Sequence, residues 1–221
     1  MTVKKLDYSL VLGKLTNALP RRFPLITKGG DSSASALFIM GSGRNGSTML
    51  GSMLNMHPSI LLVPEQFALF YAIQRFKLLN FLDWKDLVKI VVGEFSRKKA
   101  SHWDVDIAGI YDDLYEVPSE NRSLQLILDS IYKEYGKVKA IPYKVWGDKT
   151  PKNVLHVESI FPVFPRAKYV FLIRDGRDVL SSYCKSKEEY MGEFSHPENA
   201  VKLWNESTQA YDYLKNNCQK N

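Results

Sequence analysis

The sequence Ala36-Leu-Phe-Ile-Met-Gly-Ser-Gly-Arg-Asn-Gly-Ser-Thr48 joins a short apolar run to a glycine-rich loop, and this junction decides the fold class. Residues 36–40 have the length and composition of a buried strand. Residues 46–56 have apolar side chains at helical spacing, and His57-Pro58 ends the helix. The loop therefore precedes a helix N-terminus, where backbone amides and the helix dipole favour an anion. The predicted phosphate-binding residues are Gly43, Arg44, Asn45, Gly46, Ser47 and Thr48.

The cation of this loop distinguishes it from the Walker A loop of nucleoside triphosphatases. The spacing from Gly41 to Gly46 is that of Walker A, but Ser47 stands where Walker A has a lysine for the β- and γ-phosphates. Arg44 is the cation of this loop instead. We therefore expect a diphosphate-like anion rather than a triphosphate. A helix N-cap turn with surplus glycine is the structural alternative.

Further segments alternate between strand and helix patterns. Strands are predicted at residues 60–63, 143–146 and 168–173, and the last of these is the clearest buried strand. Residues 65–139 have mainly helical patterns and are interpreted as an insertion. Shorter helices are predicted at 151–161 and from about 178 to 187, and a final helix at 199–217. This alternation predicts an α/β fold with a central parallel sheet covered by helices.

A second anion site is predicted where the strand at 168–173 ends. Arg174 follows that strand directly, and ligands of open α/β sheets bind at the carboxyl ends of strands. Its guanidinium can present a planar fork to a phosphate, and Ser182 in the next helix can add a hydroxyl. Lys149, after the strand at 143–146, can point into the same cleft. Arg177 and Asp178 are interpreted as an ion pair or cap at the helix start.

Together these motifs resemble those of the sulfotransferases that use 3′-phosphoadenosine 5′-phosphosulfate (PAPS). Arg44-Asn-Gly-Ser-Thr48 is similar to the family's phosphosulfate loop, Arg/Lys-Ser-Gly-Thr-Thr, with Asn45 in place of the usual serine. Arg174 and Ser182 have the spacing of the family's 3′-phosphate motif. The stretch at 53–60 is typical of the branch that includes protein-tyrosine, carbohydrate and bacterial sulfotransferases. The resemblance covers residues 36–183, about two-thirds of the chain.

The resemblance implies a fold, a reaction and a role for several residues. The fold is a P-loop-like three-layer sandwich with a central parallel sheet and a helical insertion. The reaction is transfer of a sulfuryl group from PAPS to a hydroxyl or amine, without a metal. By position, Glu65 is the general base and Lys149 is the lysine near the transferred group. Arg44 and the loop amides stabilise charge, while Arg174 and Ser182 hold the 3′-phosphate.

Alternatives to these assignments stay open. A P-loop kinase or NTPase should show a loop lysine and a Walker-B acid, and neither is evident here. A non-catalytic or truncated nucleotide-binding member is harder to dismiss, because related enzymes usually continue beyond the second motif. We therefore place a sulfotransferase domain at 31–221 and leave open whether its C-terminus is complete. For Glu65, the structural alternative is a carboxylate near a helix N-terminus. His57 is the next candidate base.

Charge and cysteine content narrow the choice of partners. Residues 1–30 contain six basic residues and one acidic residue, which account for +5 of the net charge of +6. The body of the chain is near neutral, so no nucleic-acid partner is expected. Residues 1–30 are interpreted as a solvated basic arm, with peripheral membrane contact as the alternative. The acceptor is expected to be a small molecule, carbohydrate, lipid or peptide, and the sequence leaves the oligomeric state open.

Cys184 and Cys218 lack the spacing of metal ligands, so neither a structural metal nor a disulfide framework is expected. Asp7, Lys14 and Asn17 interrupt any apolar segment of a secretory signal. The expected location is therefore the cytoplasm.

Overall fold

Four parallel strands form the centre of the molecule in the computed structural model, which describes residues 21–27, 35–97, 103–185 and 196–218. They are β1 (Ala36–Met40), β2 (Ile60–Val63), β3 (Val145–Asp148) and β4 (Lys168–Phe171), in the spatial order β2-β3-β1-β4. Parallel neighbours need a crossover connection, and helices fill these connections. The predicted α/β fold with a central parallel sheet is confirmed.

Helices lie in every connection between the described strands. The first helix after the glycine-rich loop is α1 (Ser47–Asn55). Between β2 and β3 lie α2 (Ala68–Leu78), α3 (Trp84–Phe95), α4 (Ile110–Tyr115), a 3₁₀ turn (Ser119–Asn121) and α5 (Leu124–Val138). A 3₁₀ helix (Pro151–His156) and α6 (Val157–Ile160) connect β3 to β4, and α7 (Gly176–Lys185) and α8 (Pro197–Cys218) follow β4. The helical insertion is therefore present.

Several predicted elements differ from the observed ones in their bounds, type or burial. β3 begins two residues later than predicted and continues through Gly147, where a Cβ would approach the Leu62 side chain to 2.2 Å. Glycine thus packs close to β2 here rather than ending the strand. The segment at 151–161 is mainly 3₁₀ rather than α-helix. The strand predicted at 168–173 is present as β4, but it ends at Phe171 and the prediction that it is buried was wrong: among the described residues β4 pairs with β1 alone, and none of its residues is fully buried.

The larger core lies between one face of the sheet and the helices of the insertion. Phe38, Leu61 and Trp146 are buried there against α2, α3 and α5. On the other face, α1 covers a smaller cluster in which Leu37, Ile39 and Leu62 are buried. The sheet therefore has helices on both faces, and α1 carries the glycine-rich loop at its N-terminus.

Residues 21–27, which we call the N-terminal strap, pack on the helices of the insertion. Phe23 is buried, and its backbone N–H and C=O are both bonded to the Asn80 side chain, at 2.7 and 3.1 Å. The carbonyls of Pro24 and Leu25 accept bonds from Leu124 and Gln125, the first amides of α5. Helix N-terminal amides need such acceptors. The strap is therefore not a solvated arm, which corrects the prediction for this stretch; residues 1–20 and 28–30 lie outside the described residues.

We expect the strap to stabilise the domain. Phe23→Ala should lower the free energy of unfolding by about 3 kcal/mol, because it removes a buried ring that packs on Trp84 at 5.4 Å. Phe81→Ala is the matched control, since Phe81 is 68% exposed and Phe23 only 8%. Its expected loss is below about 1 kcal/mol. Urea denaturation of both variants measures the difference, and equal losses would show that the strap does not contribute.

Candidate functional site

The glycine-rich loop turns tightly between β1 and α1. Gly41, Gly43 and Gly46 have positive φ angles of 145°, 72° and 94°, and Arg44 lies in the left-handed region at 51°. Backbone turns of this kind point successive N–H groups into one concavity, which binds anions. The N-terminus of α1 opens onto the same loop, because Gly46 is its N-cap residue. Thr48 is exposed in the first turn of the helix, and Ser47 is buried there.

Side-chain contacts of Asn45 and Tyr183 hold the loop in place. Asn45 donates to the carbonyl of Leu172 at 3.2 Å, just past β4, and accepts from the amide of Ser47 at 3.2 Å. Asn45, where the resemblance expected serine, thus ties the loop to the neighbouring strand. The Tyr183 hydroxyl of α7 donates to the carbonyl of Ser42 at 2.7 Å. The loop conformation is therefore fixed from two sides.

The tight approach of Tyr183 to the loop gives a test of this geometry. A Cβ at Gly43 would lie 2.4 Å from the Tyr183 hydroxyl, whereas a Cβ at Gly46 would meet no atom within 4 Å. Both substitutions to alanine carry the cost of a positive φ, about 1 kcal/mol or more. Gly43→Ala should lower the free energy of unfolding by at least about 2 kcal/mol more than Gly46→Ala, because of the added overlap.

Chemical denaturation of both variants checks this expectation. The double variant Gly43→Ala/Tyr183→Phe should be more stable than Gly43→Ala, because the clashing hydroxyl is gone. Equal losses for Gly43→Ala and Gly46→Ala, without rescue by the double variant, would contradict the described loop.

A cationic cleft of about 400 Å³ lies beside the loop. Its lining residues are Arg44, Arg174, Asp178, Ser181, Ser182 and Lys185. Arg44 Nε donates to Ser182 Oγ at 3.0 Å, and Arg174 Nη1 donates to the Arg44 carbonyl at 2.9 Å. The structure therefore brings together Arg174 and Ser182, as the second anion motif predicted, and it connects them to the loop through Arg44.

Two residues of this cleft were missed by the sequence reasoning. Ser181 and Lys185 line it together with Asp178 and Ser182, and all four belong to α7. Their spacing of three, four and seven residues from Asp178 places them on one face of the helix, which was the available signal. The Arg44 side chain also lies in this cleft, whereas the sequence suggested a place at the phosphosulfate group. The three cations outnumber the single carboxylate, so the cleft favours an anionic ligand.

The charged residues at the start of α7 form other ion pairs than the predicted pair of Arg177 with Asp178. Arg177 pairs with Asp175 at 2.7 Å, and Asp175 also accepts from the Arg177 amide, so Asp175 caps the helix. These bonds to Arg177 lower the pKa of Asp175 to about 2. Asp178 instead lies 3.7 Å from Arg174 Nε. Arg174 is therefore held by both the loop and α7.

Glu65 and Lys149 form an ion pair at the ends of neighbouring strands. Lys149 Nζ lies 2.9 Å from Glu65 Oε1, and the two side chains are 18% and 21% exposed. Thr150 and Gln66 fix the two turns to each other, because the Thr150 hydroxyl is bonded to both the Gln66 amide and its carbonyl at 3.0 Å. The Lys149 side chain also lies against Gly51 of α1. The predicted base and the predicted lysine are thus in contact, which the sequence did not indicate.

The other candidate base, His57, lies outside the loop, the cleft and the Glu65–Lys149 pair. His57 is exposed just after α1, and its Nδ1 accepts a hydrogen bond from the Ser59 amide at 3.1 Å. That contact is the structural role expected for a residue at a helix end. Among the described residues, no group of three or more His, Cys, Asp or Glu side chains could hold a metal ion.

A comparison with known protein families matches the part of the chain that forms the sheet and the candidate site. A family model described as the sulfotransferase family matches residues 36–220, from the first residue of β1 to beyond α8. The chain belongs to the sulfotransferase family. A search of curated proteins gave no significant match. Membership supports sulfuryl transfer as the activity of this sulfotransferase and implies a sulfonate donor.

One structural observation concerns the ability of the helices to span a membrane. Within the ranges that the structure describes, no helix of the sulfotransferase is long and apolar enough to cross a membrane.

Proposed function

We propose that this sulfotransferase transfers a sulfuryl group from PAPS to a hydroxyl or amine acceptor, with Glu65 as the general base. The main support for the proposal is that Arg44 connects the glycine-rich loop with the cationic cleft. Its backbone belongs to the glycine-rich loop, and its side chain lies in the cleft with Arg174 and Ser182. Such an arrangement suits a ligand with two separate anionic groups, as PAPS has.

The described residues fit this donor. The loop amides and the hydroxyls of Ser47 and Thr48 would hold the 5′-phosphosulfate, since the positive φ angles leave a concavity for it. Arg174 and Ser182 would hold the 3′-phosphate through charge-assisted hydrogen bonds. The lysine that a triphosphate requires in a Walker loop is absent from residues 41–48. The loop therefore favours PAPS over ATP.

The reaction needs alignment and charge stabilisation. The acceptor oxygen or nitrogen attacks sulfur and forms a new bond to it, while the bond between sulfur and the bridging phosphate oxygen breaks. Glu65 takes the proton of the acceptor as that bond forms, a contribution of about 10²–10⁴-fold. Lys149, held 2.9 Å from Glu65, brings positive charge to the same place. Together with the loop amides, it stabilises the departing phosphate.

Partner and location assignments remain predictions. The acceptor carries a hydroxyl or amine on a small molecule, carbohydrate, lipid or peptide. Peripheral membrane contact through residues 1–30, the absence of a nucleic-acid partner and the cytoplasmic location likewise remain predictions. Among the aromatic residues of the insertion, the exposed Tyr71 of α2 is a candidate for the acceptor site. Trp84 and Trp103 are less suited to that role, because they donate to the carbonyls of Leu114 and Pro64 within the packed helices.

Transfer of radiolabel from PAPS tests the proposal. The protein is incubated with donor labelled in the sulfuryl group and with one acceptor of each class: a phenol, an oligosaccharide, a hydroxylipid and a tyrosine peptide. We expect label in at least one acceptor at a rate that Glu65→Gln removes. The absence of protein-dependent transfer to all four classes would contradict the proposal and favour a non-catalytic nucleotide-binding member.

A further inference from the structure

A buried hydrogen-bond network lies directly beneath the Glu65–Lys149 pair. Its centre is the carboxylate of Asp148, the last residue of β3, which is buried and immediately precedes Lys149. Asp148 Oδ1 accepts from the Thr150 amide at 2.7 Å. Asp148 Oδ2 accepts from the Tyr132 hydroxyl at 2.6 Å and from Gln66 Nε2 at 3.1 Å. The Asp148 carboxylate thus binds Gln66, which is next to Glu65, and Thr150, which is next to Lys149. It also binds Tyr132 of α5.

Gln66 joins this network to the turn that carries Glu65. Its side-chain amide also donates to the Tyr132 hydroxyl at 2.7 Å, and its Oε1 accepts from the Ala68 amide at 2.7 Å. The register of the sheet explains the meeting, because Val63 pairs with Asp148 across β2 and β3. The residues that follow each strand therefore leave the sheet side by side. Their relative position depends on the bonds between the two turns.

Of Asp148, Thr150, Gln66 and Tyr132, only Tyr132 lies within a helix of the insertion, α5; the other three belong to the end of β3 or to the turns beside the sheet. Its ring stacks on Trp146 of β3, with centroids 4.0 Å apart and planes 6° from parallel. Burial, reinforced by the neighbouring Asp148 carboxylate, raises the pKa of Tyr132 well above its usual value. The phenol therefore remains protonated and donates its hydrogen bond. Because it is fully buried, Tyr132 does not touch a substrate.

We propose that Tyr132 is a positioning residue for sulfuryl transfer, which acts through Asp148 and Gln66 to hold Glu65 in its paired geometry with Lys149. This inference rests on the proposed function of Glu65. It assigns a role in the reaction to α5, a helix of the insertion that is remote from the phosphate loop in sequence. A displacement of about 1 Å in a catalytic group can cost about 10²-fold in rate, so loss of one bond from this network should have a measurable effect.

Tyr132→Phe tests the proposal, with Tyr135→Phe as the matched control. Tyr135 lies one turn further along α5, is nearly buried and packs on Trp103 at 4.8 Å, but its hydroxyl is outside the network. Turnover is expressed per site that binds adenosine 3′,5′-bisphosphate, so that misfolded protein does not count. We expect Tyr132→Phe to lower kcat about 10-fold, with the donor KM within about twofold, because the phosphate loop is untouched. Tyr135→Phe should leave both within about twofold.

A double-mutant cycle separates positioning from general packing. If Tyr132 acts through the base, Tyr132→Phe should reduce the residual rate of Glu65→Gln by less than about twofold. A further 10-fold loss in that background would show that Tyr132 acts independently of Glu65 and would overturn the proposal, as would an unchanged kcat in Tyr132→Phe. Gln66→Leu provides a second route, since it removes the link to the Glu65 turn and should also lower kcat.

The outcomes also separate this inference from the proposed function. If wild-type protein neither binds adenosine 3′,5′-bisphosphate nor transfers label, both the proposed function and this inference are rejected. If wild-type protein is active and Glu65→Gln is not, while Tyr132→Phe equals wild type, only the positioning role is rejected.

Discussion

Glu65→Gln should lower the rate of sulfuryl transfer by about 10²–10⁴-fold while the affinity for adenosine 3′,5′-bisphosphate stays within about twofold. Glutamine keeps the size of the side chain and can still contact Lys149, but it cannot take a proton from the acceptor. The contacts of Arg44 with Ser182 and of Arg174 with the Arg44 carbonyl do not involve Glu65. The loss is therefore expected in kcat and not in donor binding.

The measurement is initial-rate transfer from labelled PAPS, with nucleotide affinity determined by calorimetry on the same preparations. Glu120→Gln is a suitable control, because Glu120 is exposed in the 3₁₀ turn of the insertion and has no role in the site. Turnover within about threefold of wild type for Glu65→Gln would remove Glu65 as the base. A parallel loss of nucleotide affinity would instead indicate that the ion pair supports the donor site.

Arg174→Ala should selectively weaken ligands that carry a 3′-phosphate. A hydrogen bond to a charged group contributes about 1.5–3 kcal/mol, so the affinity for adenosine 3′,5′-bisphosphate should fall about 10- to 100-fold. The affinity for adenosine 5′-monophosphate should fall less than about threefold. Some loss is expected for both, since Arg174 also donates to the Arg44 carbonyl and so supports the loop.

Arg177→Ala is the matched control for this experiment. Arg177 carries the same charge three residues further along the chain, in the first turn of α7, but it is 91% exposed, pairs with Asp175 and does not line the cleft. Its removal should change the affinity for either nucleotide less than about twofold. If Arg174→Ala weakens both nucleotides equally, the cleft does not recognise the 3′-phosphate.

The strand–loop–helix unit was predictable because its signals are local. The apolar run at 36–40, the glycine spacing and the stop at His57-Pro58 each occur within a few residues, and the structure agrees with them to within one residue. The placement of Arg174 and Ser182 in one cleft was likewise indicated by their spacing on one strand–helix unit. Such features need no knowledge of which strands are neighbours.

Other features depend on pairings that no local pattern contains. Glu65 and Lys149 meet because β2 and β3 are adjacent and Val63 is in register with Asp148. That adjacency also creates the network around Tyr132, for which no local pattern in the sequence gave a signal. The strand β4 was predicted to be buried because residues 168–173 are mainly apolar, although among the described residues it is paired on one side only.

The N-terminal strap shows how composition can mislead. Residues 21–22 are both arginine, and with the earlier lysines they favoured a solvated arm. The structure places Arg22 against Asp83 at 2.6 Å and buries Phe23 beside it. The position of the strap depends on the buried ring of Phe23 and on the carbonyls of Pro24 and Leu25. A count of charged residues does not take these contacts into account.

Donor-side binding tests the central claim most directly, because it does not require the acceptor. Calorimetric titration of the wild-type protein with adenosine 3′,5′-bisphosphate, adenosine 5′-monophosphate and ATP–Mg²⁺ compares the three relevant ligands. The account predicts tight binding of the bisphosphate, at least about 10-fold weaker binding of the monophosphate, and no preference for ATP–Mg²⁺. Binding of ATP–Mg²⁺ without binding of adenosine 3′,5′-bisphosphate would contradict it.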